Sequence, residues 1–204
     1  MNWRLNKIQY PVYNLGPGRR VGVWVQGCDL GCRGCVNQTL WDAGGGRDVA
    51  VVELFNWLVS LGEGYDGVTV SGGEPFQQYA PLVAFLHLVK TRTALDTYCF
   101  TGYYLRELET MFPDRLFARY LDYLVDGRYV ADLHEDGNVK GSSNQTLYRF
   151  EGGEARAVEA VSTGRWSLRV TEDQHVYMAG VPRKGDLDAV CARLAEAGIE
   201  KEFK

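Results

Sequence analysis

Cys28, Cys32 and Cys35 fall within eight positions, spaced Cys-x3-Cys-x2-Cys, on a glycine-containing stretch directly after the apolar run Val21-Gly22-Val23-Trp24-Val25. A strand that runs straight into clustered thiols can deliver all three to one point at its carboxyl end. Thiolates so placed bind zinc or an iron-sulfur centre, and both usually take four protein ligands in structural or electron-transfer roles. The remaining cysteines, Cys99 and Cys191, stand singly in strand-like and helix-like apolar runs. A free cysteine there is most often a small buried hydrophobe, so neither reads as a fourth ligand. Three thiolates on a larger centre leave one coordination position open, as a metal site needs if it is to act on a bound molecule.

About forty residues on, Gly67-Val68-Thr69-Val70-Ser71-Gly72-Gly73-Glu74-Pro75 reads as a short β-branched strand ending in two glycines and a carboxylate. Glycine lets the backbone approach a ligand closely, and a carboxylate accepts hydrogen bonds from an ammonium group. In isolation the element is a turn. Following a strand, and paired with the cysteine loop, it reads as the second half of one site.

The two elements together resemble the radical S-adenosylmethionine (SAM) superfamily. That resemblance implies a 4Fe-4S cluster on Cys28, Cys32 and Cys35, with the fourth iron chelating the methionine amino and carboxylate groups of SAM. It also assigns Ser71, Gly72, Gly73 and Glu74 to the methionine end of the cofactor. The fold implied is α/β: an incomplete (β/α) barrel with mostly parallel strands, a core over about residues 8–148, and a carboxyl-terminal extension over about 149–204. A zinc or iron-sulfur binding module without catalysis would explain the thiols but not the Gly-Gly-Glu turn.

Further motifs occur in order. Gly16-Pro17-Gly18-Arg19-Arg20 precedes the first of these strands, and Cys35-Val36-Asn37-Gln38-Thr39-Leu40-Trp41 closes the cysteine loop. Both resemble activating enzymes of glycyl radical enzymes, most closely those of anaerobic ribonucleotide reductase. Many superfamily members carry an adenine-packing aromatic just before the third cysteine. Gly34 stands there instead, as it tends to in that subgroup. Thr101-Gly102-Tyr103 follows the strand Leu95 to Phe100, and parallel sheets place ligands at that edge. The resemblance assigns Thr101 and Gly102 to the cofactor, and a plain strand-to-helix turn is the competing reading. It also puts Asp126 and Arg128, at the exit of the strand from Tyr123, beside the SAM carboxylate and ribose, where a surface turn competes. Gly141-Ser142-Ser143-Asn144-Gln145 resembles an element of the same activases and is otherwise a solvated loop.

Helical spacing over Asp48 to Leu61 places Val51, Leu54, Phe55 and Leu58 on one face, and Tyr79 to Val89 repeats it with Leu82, Phe85, Leu86 and Val89. Tyr103 to Phe112 reads as a third helix. Strand, loop and helix in alternation is the signature of parallel βα units. His87 reads as surface or core rather than as a ligand. In the extension, Trp166 to Val170 and His175 to Ala179 read as a β-hairpin across Thr171-Glu172-Asp173-Gln174, and Leu187 to Ala197 as an amphipathic helix with Val190, Leu194 and Ala197 inward. Val181-Pro182 is expected near the SAM pocket.

The 204 residues suit one domain, and 46% hydrophobic content suits a globular core. A net charge of -4 gives no basic footprint for a nucleic-acid polymer. No apolar run reaches the length of a membrane helix and no signal-peptide core opens the chain, so no membrane association and a cytoplasmic location are expected. Crowded thiols argue for a reducing compartment rather than disulfides. The resemblance implies an enzyme whose partner is a glycyl radical enzyme, with an electron donor such as flavodoxin or ferredoxin. A radical SAM enzyme acting on another peptide or a small molecule would carry the same motifs.

Overall fold

The computed structural model describes residues 1–135, 138–160, 166–170, 176–180 and 185–196. Four strands form the centre of its larger sheet: β2 (Arg20–Val25), β4 (Gly67–Gly72), β5 (Asp96–Phe100) and β6 (Tyr123–Asp126), all parallel. Before and between them come β1 (Asn2–Val12), β3 (Arg47–Ala50), α1 (Val51–Ser60), α2 (Tyr79–Arg92), α3 (Leu105–Met111) and α4 (Leu116–Tyr120). After β6 follow β7 (Thr146–Glu151), β8 (Glu154–Val158), β9 (Ser167–Val170), β10 (Val176–Ala179) and α5 (Asp186–Glu196). The order across the sheet is β3-β1-β2-β4-β5-β6-β7-β8, with antiparallel pairing on both flanks. Parallel character is thus confined to the centre.

All six residues of β2 are buried, as a strand covered on both faces requires. Val21, Val23 and Val25 pack with Val68, Val70, Cys99 and Leu124 against Leu54, Leu58, Leu82, Phe85, Leu86 and Val89. The expected inward faces of α1 and α2 are therefore the observed ones, and each fully buried Leu or Phe contributes roughly 1.5–3 kcal/mol. His87 is exposed and edge-on to Tyr120. On the other face of the sheet, Trp24 packs with Val12, Leu15, Leu40 and Ala179, while Tyr98 and Val125 pack with Val139 and Leu147. Gly22 makes room for the Trp24 ring, since a Cβ there would lie 2.4 Å from it.

Arg20 fastens the amino-terminal end of the parallel strands. Its buried guanidinium donates to Thr69 Oγ1 at 2.7 Å, to Val68 O and Pro17 O at 3.0 Å, and to Asp96. The Gly-Pro-Gly-Arg turn is thereby part of the sheet's base.

Residues 47–50, expected partly in a helix, form β3, because they pair with Asn2–Leu5 before α1 begins. The hairpin β9–β10 is antiparallel as expected, and Asn14 Nδ2 ties it to the sheet by donating to Ala179 O at 2.7 Å and Ser167 Oγ at 3.3 Å. Val190 and Leu194 of α5 are half-buried. The hairpin's turn, Val181-Pro182 and Ala197 lie outside the described residues. Among the described residues, no helix is long and apolar enough to cross a membrane.

Candidate functional site

The cysteine loop leaves β2 at Gln26 and returns through a short 3-10 turn, Gln38–Leu40. Two backbone bonds close its base: Gly27 N–H to Leu40 O at 2.8 Å and Cys28 N–H to Trp41 O at 3.2 Å. The Gln26 amide spans the neck, donating to Asp42 O at 2.7 Å and accepting from Asn6 Nδ2 at 2.9 Å. Cys28, Cys32 and Cys35 are free and half-buried on this loop. Cys99 is fully buried in the core, and Cys191 is half-buried in α5.

A backbone amide attends one of the sulfurs: Asn37 N–H donates to Cys35 Sγ at 3.4 Å. Burial pushes the Cys28 thiol up to about 11, with the Leu30 amide opposing and Glu74, Cys32 and Cys35 adding to the rise. Burial also raises Cys32, against the Tyr129 amide, with Cys35 adding and the Arg128 guanidinium opposing. A metal centre supplies the positive charge that such thiols need in order to ionise.

The Gly-Gly-Glu turn is stitched to this loop. Gly73 N–H donates to Val25 O and Glu74 N–H to Gly27 O, both at 2.8 Å, so these amides are spent on β2 and its exit rather than left for a ligand. A Cβ on Gly73 would lie 2.2 Å from Gly27 O, and one on Gly72, at φ +110°, 2.5 Å from Val25 N. Glycine is required at both positions by close backbone approach. Ser71 is half-buried beside Trp24 in the register.

Glu74 is 1% exposed. Its Oε1 accepts from Phe76 N at 2.9 Å and Thr101 Oγ1 at 2.8 Å, and Oε2 accepts from Gly102 N at 2.8 Å. Thr101 and Gly102 therefore serve the carboxylate, joining the ends of β4 and β5. Burial raises Glu74 to about 7 despite these donors. A carboxylate has about four acceptor positions, so Oε2 retains room for one more donor.

Asp126, 2% exposed, accepts from Leu105 N at 2.7 Å and Thr146 N at 3.2 Å, so it holds the start of α3 to β7. Arg128 is exposed, and its Cγ would lie 3.8 Å from a Cβ on Gly102. The structure thus brings the three cysteines, Glu74, Thr101, Gly102 and Arg128 to the carboxyl edge of the parallel strands, and sets Asp126 just beneath.

Sequence reasoning passed over two glutamines next to the motif. Gln77 donates to Asp29 of the cysteine loop and to Tyr103 OH at 3.1 Å. Gln78 accepts from Arg4 N at 2.8 Å and donates to Gln26 O at 2.9 Å. Their place immediately after Gly-Gly-Glu-Pro was the available signal. Tyr129 was also passed over, and it faces Gly34: a Cβ on Gly34 would lie 3.4 Å from the tyrosine ring and 3.1 Å from Ala131 Cβ.

Among the described residues, no three of His, Cys, Asp and Glu are gathered closely enough to hold a single metal ion. A 4Fe-4S cluster places each thiolate on its own iron and takes a wider set. The Asn37 amide directed at the Cys35 sulfur and the buried acceptor Asn144 Oδ1, which has no partner, fit such a cluster with a hydroxyl-bearing ligand beside it.

Residues 14–148 match the family described as a 4Fe-4S single cluster domain. A protein of Haemophilus influenzae named anaerobic ribonucleoside-triphosphate reductase-activating protein is 33% identical over 156 residues, covering 72% of this chain and 99% of that protein. Its namesake in Vibrio cholerae is 33% identical over 154 residues, covering 69% and 95%. Among solved structures, QueE from Escherichia coli aligns over 50% of this chain and 53% of its own, at 18% identity and a TM-score of 0.41.

Proposed function

Because the chain belongs to the 4Fe-4S single cluster domain family and to that of the anaerobic ribonucleoside-triphosphate reductase-activating proteins, we propose that it generates a glycyl radical on such a reductase. It is a radical SAM enzyme, and its cofactors are a 4Fe-4S cluster and SAM. The observation that carries the reading is that the cysteine loop and the Gly-Gly-Glu turn are bonded to one another at one edge of the parallel strands.

When bound, the cluster and SAM supply one-electron cleavage of a sulfonium to methionine and a 5'-deoxyadenosyl radical that takes hydrogen from the substrate. The chain's part is to bind, orient and exclude water. Cys28, Cys32 and Cys35 would hold the cluster, with the Asn37 amide as a donor to the Cys35 sulfur. Glu74 offers the open side of Oε2 to the ammonium of the methionine end, and Thr101 and Gly102 fix the carboxylate so that this side faces the site. Gly72 and Gly73 let the end of β4 come close to Val25 and Gly27, which holds Glu74 and Ser71 beside the cysteine loop. Arg128 is placed to meet a carboxylate, and Asp126 positions the segment that carries it.

We read the sheet as the wall of an incomplete (β/α) barrel in a single domain, with the carboxyl edge of the parallel strands turned to the substrate. The partner is then a glycyl radical enzyme, the electron donor a flavodoxin or ferredoxin, and neither a nucleic-acid polymer nor a membrane is involved. Three thiols crowded within eight positions suit a metal site better than disulfides, and with it a reducing compartment, the cytoplasm.

The test is anaerobic reconstitution with iron and sulfide, reduction with dithionite, and measurement of 5'-deoxyadenosine from SAM with and without the reductase, with Cys32→Ala as control. The expected result is product with wild type and none with the variant, plus a glycyl radical signal when the reductase is present. No product from a fully loaded wild-type centre, with or without the reductase, refutes the assignment.

A further inference from the structure

We propose that Leu30 is a gate on the Glu74 carboxylate: its side chain stands over Gly102 in the path of an ammonium group bound for Oε2, and swings aside before the methionine end of SAM can seat. The inference rests on Glu74 being the acceptor for that end.

Three groups converge on one point above Gly102. A Cβ on this glycine would lie 2.4 Å from Leu30 Cδ1, 3.6 Å from Glu74 Oε2 and 3.8 Å from Arg128 Cγ. The Gly102 backbone is outside the left-handed region, so its conformation does not demand glycine. What the missing Cβ spares is room, and the Leu30 methyl fills it. Glu74 is 1% exposed although it sits at the carboxyl edge of the strands, and its Oε2 accepts from Gly102 N at 2.8 Å. A methyl group neither donates nor accepts, so Leu30 screens the remaining acceptor position of Oε2 without satisfying it. An ammonium group that approaches Oε2 over Gly102 needs the same room.

The loop backbone beneath Leu30 is held. Cys28 N–H bonds to Trp41 O at 3.2 Å, and Gln77 donates both to Asp29 and, at 3.1 Å, to Tyr103 OH. Asp29 and Tyr103 are the chain neighbours of Leu30 and Gly102, so this bridge lays the cysteine loop across the exit of β5 at the point of contact. Beyond Leu30 the restraint ends. Among the described residues, the backbone of 30–36 makes one backbone hydrogen bond, the local Cys35 N–H to Cys32 O at 3.1 Å. A Cβ on Gly31, at φ +60°, would meet nothing within 4 Å. Leu30 is half-buried with open room beside it, so a change of rotamer clears the point over Gly102 while the loop backbone stays in place. A ligand then binds only the fraction of molecules whose gate is open, and its apparent affinity falls by that fraction.

The experiment has two arms, both on the full chain. In the first, carbodiimide coupling of glycinamide to carboxyl groups is followed by peptide mass spectrometry on cluster-free wild type and Leu30→Ala. Glu74 is expected to react about tenfold faster in the variant, while exposed Glu53 and buried Asp126 keep their wild-type rates. In the second, the reconstituted proteins are mixed with SAM and followed by stopped-flow absorbance. Leu30→Ala is expected to associate about tenfold faster, with a dissociation rate within about twofold of wild type. Unchanged labelling of Glu74, or equal rises at Glu74 and Asp126 as in a loosened fold, overturns the proposal. So does a variant that binds no faster and releases SAM sooner, which would make Leu30 a packing contact of the bound cofactor. Should Leu30→Ala fail to fold, as judged by its thermal melt, Leu30→Val also lacks Cδ1 and carries the same expectation and the same refutation. Wild-type SAM affinity in Glu74→Gln overturns the acceptor reading beneath, a result separate from both Leu30 arms.

Discussion

Glu74→Gln tests the electrostatics of the site in the cofactor-free protein. The Glu74 carboxyl is buried, and burial raises its pKa from 4.5 to about 7. The folded chain therefore binds a proton at Glu74 more tightly than the unfolded chain does. For a carboxyl raised in this way, stability is greatest below the unfolded value and is lost as pH rises from 4.5 through about 7. At about 1.36 kcal/mol per pKa unit, the full loss is on the order of 3 kcal/mol, of which roughly 2.5 falls between pH 5 and pH 8. Glutamine removes this titration and keeps the shape. It also turns an NH2 group towards one of the three donors from Phe76, Thr101 and Gly102, and an orphaned buried donor costs about 1–3 kcal/mol. The variant is thus the less stable protein at pH 5, and the gap closes or reverses by pH 8. Urea unfolding of both proteins at half-unit pH steps gives the two curves. Burial also raises Asp126 and acts with the same sign, but it is common to both proteins and cancels in the difference. Parallel curves, or a wild type that gains on the variant as pH rises, would refute the reasoning.

If an ammonium group occupies the open side of Glu74 Oε2, it lowers the carboxyl's pKa, so SAM binding at pH 7 is expected to release protons; calorimetry in buffers of unequal ionisation enthalpy should show a buffer-dependent heat, and its absence argues against that placement. Gly73→Ala forces a Cβ to within 2.2 Å of a backbone oxygen, and is expected to cost more than about 3 kcal/mol in urea unfolding or to prevent folding. Arg20→Leu removes the buried partner of Asp96 and the donor to Thr69, and should destabilise by about 2–4 kcal/mol, below the upper range for buried pairs because Asp96 is partly exposed. Asn14→Ala removes the tie to β10, so hydrogen exchange at Val176–Ala179 is expected to speed up while β2 and β4 keep their protection.

The parts legible in the sequence are those written in local pattern. Val51, Leu54 and Leu58 repeat at helical spacing and are buried together, and Gly72-Gly73-Glu74 sits at a strand end because β-branched residues precede it. Long-range pairing was not legible. Arg47–Ala50 has no strand pattern of its own and becomes β3 through Asn2–Leu5. The short helix α4 gave too few turns for a period to show. The β7–β8 hairpin did leave a trace, Gly152-Gly153, both with positive φ, between two extended runs, and that turn signal was passed over. In the site, chemistry pointed to Glu74, Thr101 and Gly102 as separate ligand contacts. Their bonds to each other, and the use of Asp126 to hold α3 and β7, depend on the register of β4, β5 and β6, which residue types do not encode.

The larger sheet ends at β3 and β8, both short and carrying charge: Arg47 and Asp48 on one, Glu154 and Arg156 on the other. Charges on short edge strands discourage other chains from adding on. A closed barrel has its radius fixed by strand number and stagger, so it cannot widen without breaking a ladder. A sheet with two free rims has no such lock. Its curvature can relax through twist alone, so the outer strands β3 and β8 can shift while every strand pairing, and the loop and turn stitched together at its centre, stays intact.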